Sequence, residues 1–314
     1  MRLVRMEATA PLGWREPAVT IGNFDGVHRG HQALVGRVVE NARRSDGTAA
    51  VLTFDPHPAR VLAPERAPAA LTTPGQKLEL LAGHGIDVVA VLPFTPAVAA
   101  LAPEEFVRAV LAGSLGARQV VVGEGFRFGR GQSGDAAGLA RLGGDYGFAV
   151  EAVAPVLDDG QPVSSSRVRE ALSRGDVDGA RRLLGRAYFV DGLVVRGDGR
   201  GRSIGVPTAN LEPENEILPA AGVYAGHVRV ADGSWHPAVV NRGTRPTFAG
   251  LEEALEAHLL DYDGDLYGTR LRLAFAARLR EERRFAGSLE LVAQIREDVA
   301  RARTLLSSAA GEGL

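Results

Sequence analysis

Residues 18–39 read A-V-T-I-G-N-F-D-G-V-H-R-G-H-Q-A-L-V-G-R-V-V, and this stretch decides the fold. An apolar strand runs into a turn bracketed by Gly22, Gly26 and Gly30, and Leu34, Val35, Val38, Val39 and Ala42 then recur at helical spacing. The turn sits where a helix begins. Unpaired backbone N–H groups and the positive end of the helix dipole point out of such a turn, so phosphate is its expected guest, with Gly22, Asn23, Phe24, Asp25 and Gly30 as candidate binding residues. His28 and His31 flank Gly30 in an H-x-G-H pattern, and a spacing of three near a helix start places both rings on one side. The plainer alternative is a pair of satisfied loop histidines.

Working outward, apolar strands are predicted at Val19 to Gly22, Ala49 to Phe54, Asp87 to Pro93, Gln119 to Gly123 and Phe148 to Val153, with helical patterns between them. This is the rhythm of repeated βαβ units, hence a parallel sheet covered by helices on both faces. Ligands of such sheets bind beyond the carboxyl ends of the strands, where Gly22 to His31 falls. At the end of the second strand, Phe54-Asp55-Pro56-His57-Pro58 forms a rigid extended exit that presents His57 to the crevice or merely ends the strand. After the fourth comes G-E-G-F-R-F-G (123–129), where Phe126 beside Arg127 suits a planar ring. Ser164-Ser165-Ser166-Arg167 opens a helix after the fifth strand. Hydroxyls and a guanidinium make it a second anion site, the alternative being a plain N-cap.

From Tyr188 the pattern changes to short alternating strands (Tyr188 to Val195, Val223 to Val230, Trp235 to Val240, Ala257 to Leu260, Arg270 to Phe275), the signature of a compact barrel closed by a helix from Ser288 to about Leu306. The join is expected at 184/185, giving domains 1–184 and 185–314. Within the second, R-G-D-G-R-G-R-S-I-G-V (196–206) can fold over a polyphosphate, the alternative being a flexible basic turn. Thr208 and Asn210 offer two hard oxygens separated by one residue, which in a strand would share one face, suited to Mg²⁺ or simply to capping a turn. Glu256 is either a general base for a hydroxyl nucleophile or a solvated acid beside Glu252 and Glu253, and spacing does not separate the two.

Composition narrows the class. A chain of 314 residues is long enough for two cores, and a net charge of −2 offers no electrostatic case for nucleic acid. The absence of cysteine excludes disulfides, thiolate metal sites and thiol nucleophiles. No apolar leader core or bilayer-length stretch is read, so a cytoplasmic enzyme without a membrane partner is expected, as a monomer or weak homo-oligomer.

Four segments in order, G-N-F-D-G-V-H-R-G-H-Q, F-D-P-H-P, V-V-G-x-x-F-R-F-G and S-S-S-R-V-R, resemble the adenylyltransferase module of bacterial bifunctional riboflavin kinase/FMN adenylyltransferases. The second half, through G-D-G-R-G-R-S-I-G-V-P-T-A-N-L, G-V-Y-A-G, N-R-G-T-R-P-T-F, E-A-H-L-L-D-Y and L-Y-G, is similar to the riboflavin kinase module of the same family. The resemblance implies a Rossmann-like nucleotidylyltransferase domain followed by a small antiparallel β-barrel. It implies riboflavin and ATP as substrates, Mg²⁺ as the metal, and FMN and then FAD as products.

On the family pattern His28 and His31 stabilise charge on the ATP phosphates, while Ser165, Ser166 and Arg167 hold the β- and γ-phosphates. His57, Phe126, Arg127, Phe128 and Asn241 are placed with the flavin. In the kinase module Gly199, Arg200, Gly201, Arg202, Gly205 and Pro207 belong to the ATP flap, Thr208 and Asn210 bind Mg²⁺ and phosphate, and Glu256 activates the ribityl hydroxyl. One departure stands out: Gly125 occupies a position where the family usually has Asp or Asn. It motivates an alternative, a riboflavin kinase with an impaired adenylyltransferase domain.

Overall fold

The computed structural model describes residues 1–6, 11–197, 205–247 and 250–308. They form two compact units, Met1–Val163 and Ser164–Leu314.

The first unit is a sheet of six parallel strands: β1 (Arg2–Arg5), β2 (Ala18–Ile21), β3 (Ala49–Asp55), β4 (Val88–Pro93), β5 (Gln119–Gly123) and β6 (Ala149–Val153), in the order β1-β4-β3-β2-β5-β6. All five pairings are parallel. The apolar run of β2 is buried at every position because both faces are covered. On one face Val19, Ile21, Leu52 and Val122 pack with Phe106, Leu111 and Leu139. On the other Ala18, Val51, Val89 and Val121 pack with Val35, Val38 and Leu81, from the helices α1 (Arg29–Arg44) and α2 (Pro74–Gly83). Five of the six strands match the sequence reading. The edge strand β1 does not figure in it, because its four residues R-L-V-R are largely exposed and carry no apolar run.

The strand order positions the first site. From β2 the chain steps to β3 and β4 on one side, then returns to place β5 and β6 on the other. The order therefore reverses beside β2, and the turn from Gly22 to His28 leaves the sheet at that switch point.

In the second unit, helices α3 (Ser165–Ser173) and α4 (Val177–Leu184) precede a closed antiparallel barrel. Its strands are β7 (Tyr188–Val195), β8 (Ala209–Pro213), β9 (Gly222–Arg229), β10 (Trp235–Thr247), β11 (Gly250–Leu259) and β12 (Arg270–Arg280), ordered β7-β8-β11-β10-β9-β12 and closed by the β12–β7 pairing. Closure leaves no free edge on so small a sheet. The terminal helix α5 (Ser288–Ser308) packs Ala302 and Leu306 on Val223, Ala225, Val239 and Leu279. β8 is absent from the predicted strands, since A-N-L-E-P is short and ends on proline. It forms because β7 and β11 both pair with it. The compact units divide at 163/164, so α3 and α4 group with the barrel although the sequence reading joins them to the first domain.

Candidate active sites

The first site grows from the β2–α1 turn. Phe24 and Val27 are buried with positive φ (50° and 41°), which turns the chain tightly between strand and helix. Asp25 is also buried. Its carboxylate accepts from the backbone N–H of Leu71 (2.9 Å) and Thr72 (3.3 Å), so it braces the turn from within. His28 is the N-cap of α1, and its Nδ1 accepts from the N–H of His31 at 3.3 Å. The two rings stack with centroids 3.6 Å apart, one side of the helix start as the spacing predicts. Gly30 lies close beneath them: a Cβ there would stand 3.1 Å from the His28 ring, a tight contact that the ring would have to yield to.

His31 is half-buried, with an enclosed Nδ1 that has no hydrogen-bond partner among the described residues. Burial holds its imidazole well below the ordinary pKa, and the neighbouring His28 and Lys77 push it the same way. Lys77, on α2, donates from Nζ to the Asn23 carbonyl at 3.1 Å and is itself lowered by burial, with Asp25 and Asp55 opposing. This lysine escapes the sequence reading because it lies in an ordinary helical pattern, 54 residues from its partner.

Beside the turn is a cavity of about 590 Å³ whose lining includes Gly22, Asn23, Phe54, Phe94, Phe126 and Arg127. Phe126 and Phe128 stack at 5.5 Å, Phe128 being nearly buried against Phe106. Arg127 pairs with Asp135 at 3.3 Å. His57 caps the short helix Pro58–Leu62 by accepting from the Ala59 N–H, and its Nε2 lies 3.0 Å from the Asn23 amide. The aromatic wall and the phosphate-type turn thus adjoin through Gly22 and Asn23. In the second unit Ser165, Ser166 and Arg167 form the first turn of α3, whose cap is Ser164: its Oγ accepts from the Arg167 N–H at 3.3 Å.

The barrel site is set by strand register. Glu256 on β11 is opposite Asn210 on β8 and also opposite Asn241 on β10, so the three side chains leave one face of the barrel wall in a row. Thr208 lies two residues before Asn210. Two cavities meet there. One, about 480 Å³, is lined by residues including Thr208, Asn241, Glu256, His258, Arg280 and Phe285. The other, about 490 Å³, takes Arg196, Pro207, Thr208, Asp263, Leu266 and Tyr267 into its wall. Thr208 belongs to both. Gly205 has φ 77°, in the left-handed region, whereas Gly199, Arg200, Gly201 and Arg202 lie outside the described residues.

The donor chemistry fits Mg²⁺: a hydroxyl and an amide oxygen are hard ligands, and a cation of this kind draws its remaining ligands from nucleotide phosphate and water. A cradle supports the amide. A Cβ on Gly197 would come within 2.3 Å of Asn210 Nδ2, so any side chain there would push the amide aside. Among the described residues no group of three or more His, Cys, Asp or Glu is placed to hold a metal by itself.

Comparison with known proteins settles the family. A model of the FAD synthetase family matches residues 12–167, and a riboflavin kinase model matches residues 184–306. The chain is 43% identical over 311 residues to a bifunctional riboflavin kinase/FMN adenylyltransferase of Pseudomonas fluorescens, covering 99% of each. The chain belongs to the bifunctional riboflavin kinase/FMN adenylyltransferase family. The Escherichia coli (strain K12) relative of the same name is 41% identical over 285 residues, 91% of each chain. A solved structure described as a macrolide-efflux protein from Streptococcus pneumoniae has the same fold, with a TM-score of 0.87 and 29% identity over 96% of this chain and 99% of that one. Among the described residues of the present chain no helix is long and apolar enough to cross a membrane.

The family's two-module organisation gives the cradle a testable consequence. On the family pattern, in which Asn210 binds Mg²⁺, Gly197→Ala is expected to displace the Asn210 amide and lower FMN formation about 10- to 100-fold, the range for disturbing the surroundings of a metal ligand. FAD formation from supplied FMN should not change. Initial rates of the two reactions, measured separately on the same preparation, check both statements.

Proposed function

We propose that the chain phosphorylates riboflavin with MgATP to FMN and ADP in the barrel, and transfers the adenylyl group of a second ATP to FMN in the first unit, giving FAD and pyrophosphate. The observation that carries this reading is the row Asn210, Glu256, Asn241 beside Thr208, where two cavities meet. ATP lies in the cavity of Arg196 and Tyr267, riboflavin in that of Asn241 and Phe285. Glu256 takes the proton from the ribityl 5′-hydroxyl as its oxygen attacks the γ-phosphorus, and ADP leaves. Thr208 and Asn210 would hold Mg²⁺, whose chemistry there would be to neutralise phosphate charge. Gly199, Arg200, Gly201 and Arg202, which lie outside the described residues, are assigned to ATP on their motif alone.

For adenylyl transfer no nucleophile from the protein is needed. A phosphate oxygen of FMN attacks the α-phosphorus and pyrophosphate departs, so the work of the protein is positioning and charge stabilisation. His28, His31 and the turn around Gly22 and Gly30 serve the ATP phosphates, with Asp25 holding that turn in shape. Ser165, Ser166 and Arg167 are assigned to phosphate in this step on their motif. The cavity of Phe54, Phe126 and Arg127 takes the flavin, with His57 fixing Asn23 at its edge. The catalytic modules divide at 184/185, a reading supported by the start of the riboflavin kinase match at 184. The cytoplasm, as a monomer or weak homo-oligomer, is the setting we assign.

Incubation of the purified chain with riboflavin and MgATP, followed by chromatography, tests the reading: FMN should rise and then give way to FAD. The alternative of an impaired first domain has little support, since both modules match their families in full order. At Gly125 a Cβ would meet nothing within 4 Å, and the backbone is not left-handed. Gly125→Asn should therefore fold normally and leave FMN formation as it is. Little change in FAD formation is expected, and a large rise would favour the impaired-domain alternative.

A further inference from the structure

His258 stands two residues after Glu256 on β11, so both side chains leave the same face of the strand, and both line the cavity that holds Thr208 and Asn241. Its Nδ1 lies 2.7 Å from the carbonyl oxygen of Pro207. A carbonyl can only accept, so Nδ1 carries the proton and donates it. Pro207 immediately precedes Thr208, and strand β8 begins only at Ala209. The peptide leading into Thr208 therefore lies outside the barrel ladder, and Pro207 has no N–H with which to join it. The His258 hydrogen bond ties this peptide to β11.

We propose that His258 is a positioning residue of the phosphoryl-transfer site: its Nδ1–H holds the Pro207–Thr208 peptide so that the Thr208 oxygen keeps a fixed place relative to the Glu256 carboxylate. The inference rests on the kinase reading above and gives a role to a residue to which that reading assigns none. The same logic applies as for partners that orient a metal ligand without touching the metal, whose loss costs about 10- to 100-fold in metal affinity or activity. A side chain that only filled space at 258 would be replaceable by shape, whereas a donor at Nδ1 is replaceable by chemistry.

The test uses the full chain with His258→Ala, His258→Gln and His258→Asn. An asparagine amide nitrogen falls close to the position of Nδ1, while that of glutamine falls close to Nε2. Three quantities are measured: kcat and KM for FMN formation, the Mg²⁺-dependent part of ADP binding by calorimetry, and FAD formation from supplied FMN. Alanine and glutamine should lower kcat for FMN formation about 10- to 100-fold with the KM for riboflavin little changed, and weaken Mg²⁺-dependent ADP binding. Asparagine should restore most of both, and FAD formation should be unaltered throughout.

Wild-type kinetics and ADP binding in the alanine variant would overturn the proposal, as would an asparagine variant no better than alanine. No FMN formation by the unaltered chain would sink the kinase reading itself, and this inference with it.

Discussion

Replacing Glu256 with alanine is expected to lower FMN formation about 10²- to 10⁴-fold, the range for removing a general base, while FAD formation from supplied FMN stays at the wild-type rate. The carboxylate is in register between Asn210 and Asn241, on the wall of the cavity assigned to riboflavin. Removing it leaves both neighbours and the barrel ladder in place. The loss should therefore fall on kcat, with the KM for riboflavin little changed, as expected when an interaction matters only in the transition state. Glu256→Gln should lose nearly as much, because it keeps the shape and removes the basic oxygen. Single-turnover formation of FMN and initial rates of FAD formation give the two readouts. If both activities fell together in either variant, the assignment of one reaction to each module would be wrong.

The same residue shows how far the sequence carries the argument. Three glutamates, Glu252, Glu253 and Glu256, lie close together, and spacing treats them alike. Strand register separates them: Glu252 is opposite Arg245 and Glu253 opposite Thr244, whereas Glu256 is opposite both Asn241 and Asn210. Register between distant segments is a tertiary property, fixed by closure of the barrel. A hydrophobic pattern as short as that of β8 does not announce it.

The first unit was more legible, because a parallel sheet buried on both faces writes its strands as continuous apolar runs and its ligand turn as glycines before a helix. What stayed hidden there was the long-range polar work. Asp25 reads as a possible phosphate neighbour, yet its carboxylate faces the backbone of Leu71 and Thr72. Lys77 does not figure in the sequence reading, yet it reaches the turn. Hydrogen bonds across 46 and 54 residues leave no local trace.

His31→Ala is expected to cut FAD formation about 10²- to 10³-fold, the cost of deleting one donor aimed at developing charge, and to leave FMN formation unchanged. The geometry explains why a neutral ring is held there. Two imidazolium rings stacked at 3.6 Å would repel, and burial beside Lys77 disfavours the charge further, so His31 waits uncharged in the free protein. A polyphosphate seated on the turn supplies the opposite charge and draws its pKa upward. Nucleotide binding at this site should then take up protons, and its affinity should tighten as pH falls toward the range where the free ring begins to titrate.

The sign for stability is the reverse. Because the folded pKa lies below that of the unfolded chain, the contribution of His31 to folding is present in full above about 6.5, the ordinary imidazole value, and is lost as pH falls below it. Calorimetric ATP titrations in two buffers of different ionisation heat report the proton uptake, which His31→Ala should reduce. Thermal melts from pH 8 to pH 5 report the stability term, and the variant should lose less stability on acidification than the wild type. If the variant kept full FAD formation and the same proton uptake, His31 would be a buried ring with no part in adenylyl transfer, and the histidine pair would reduce to a helix cap.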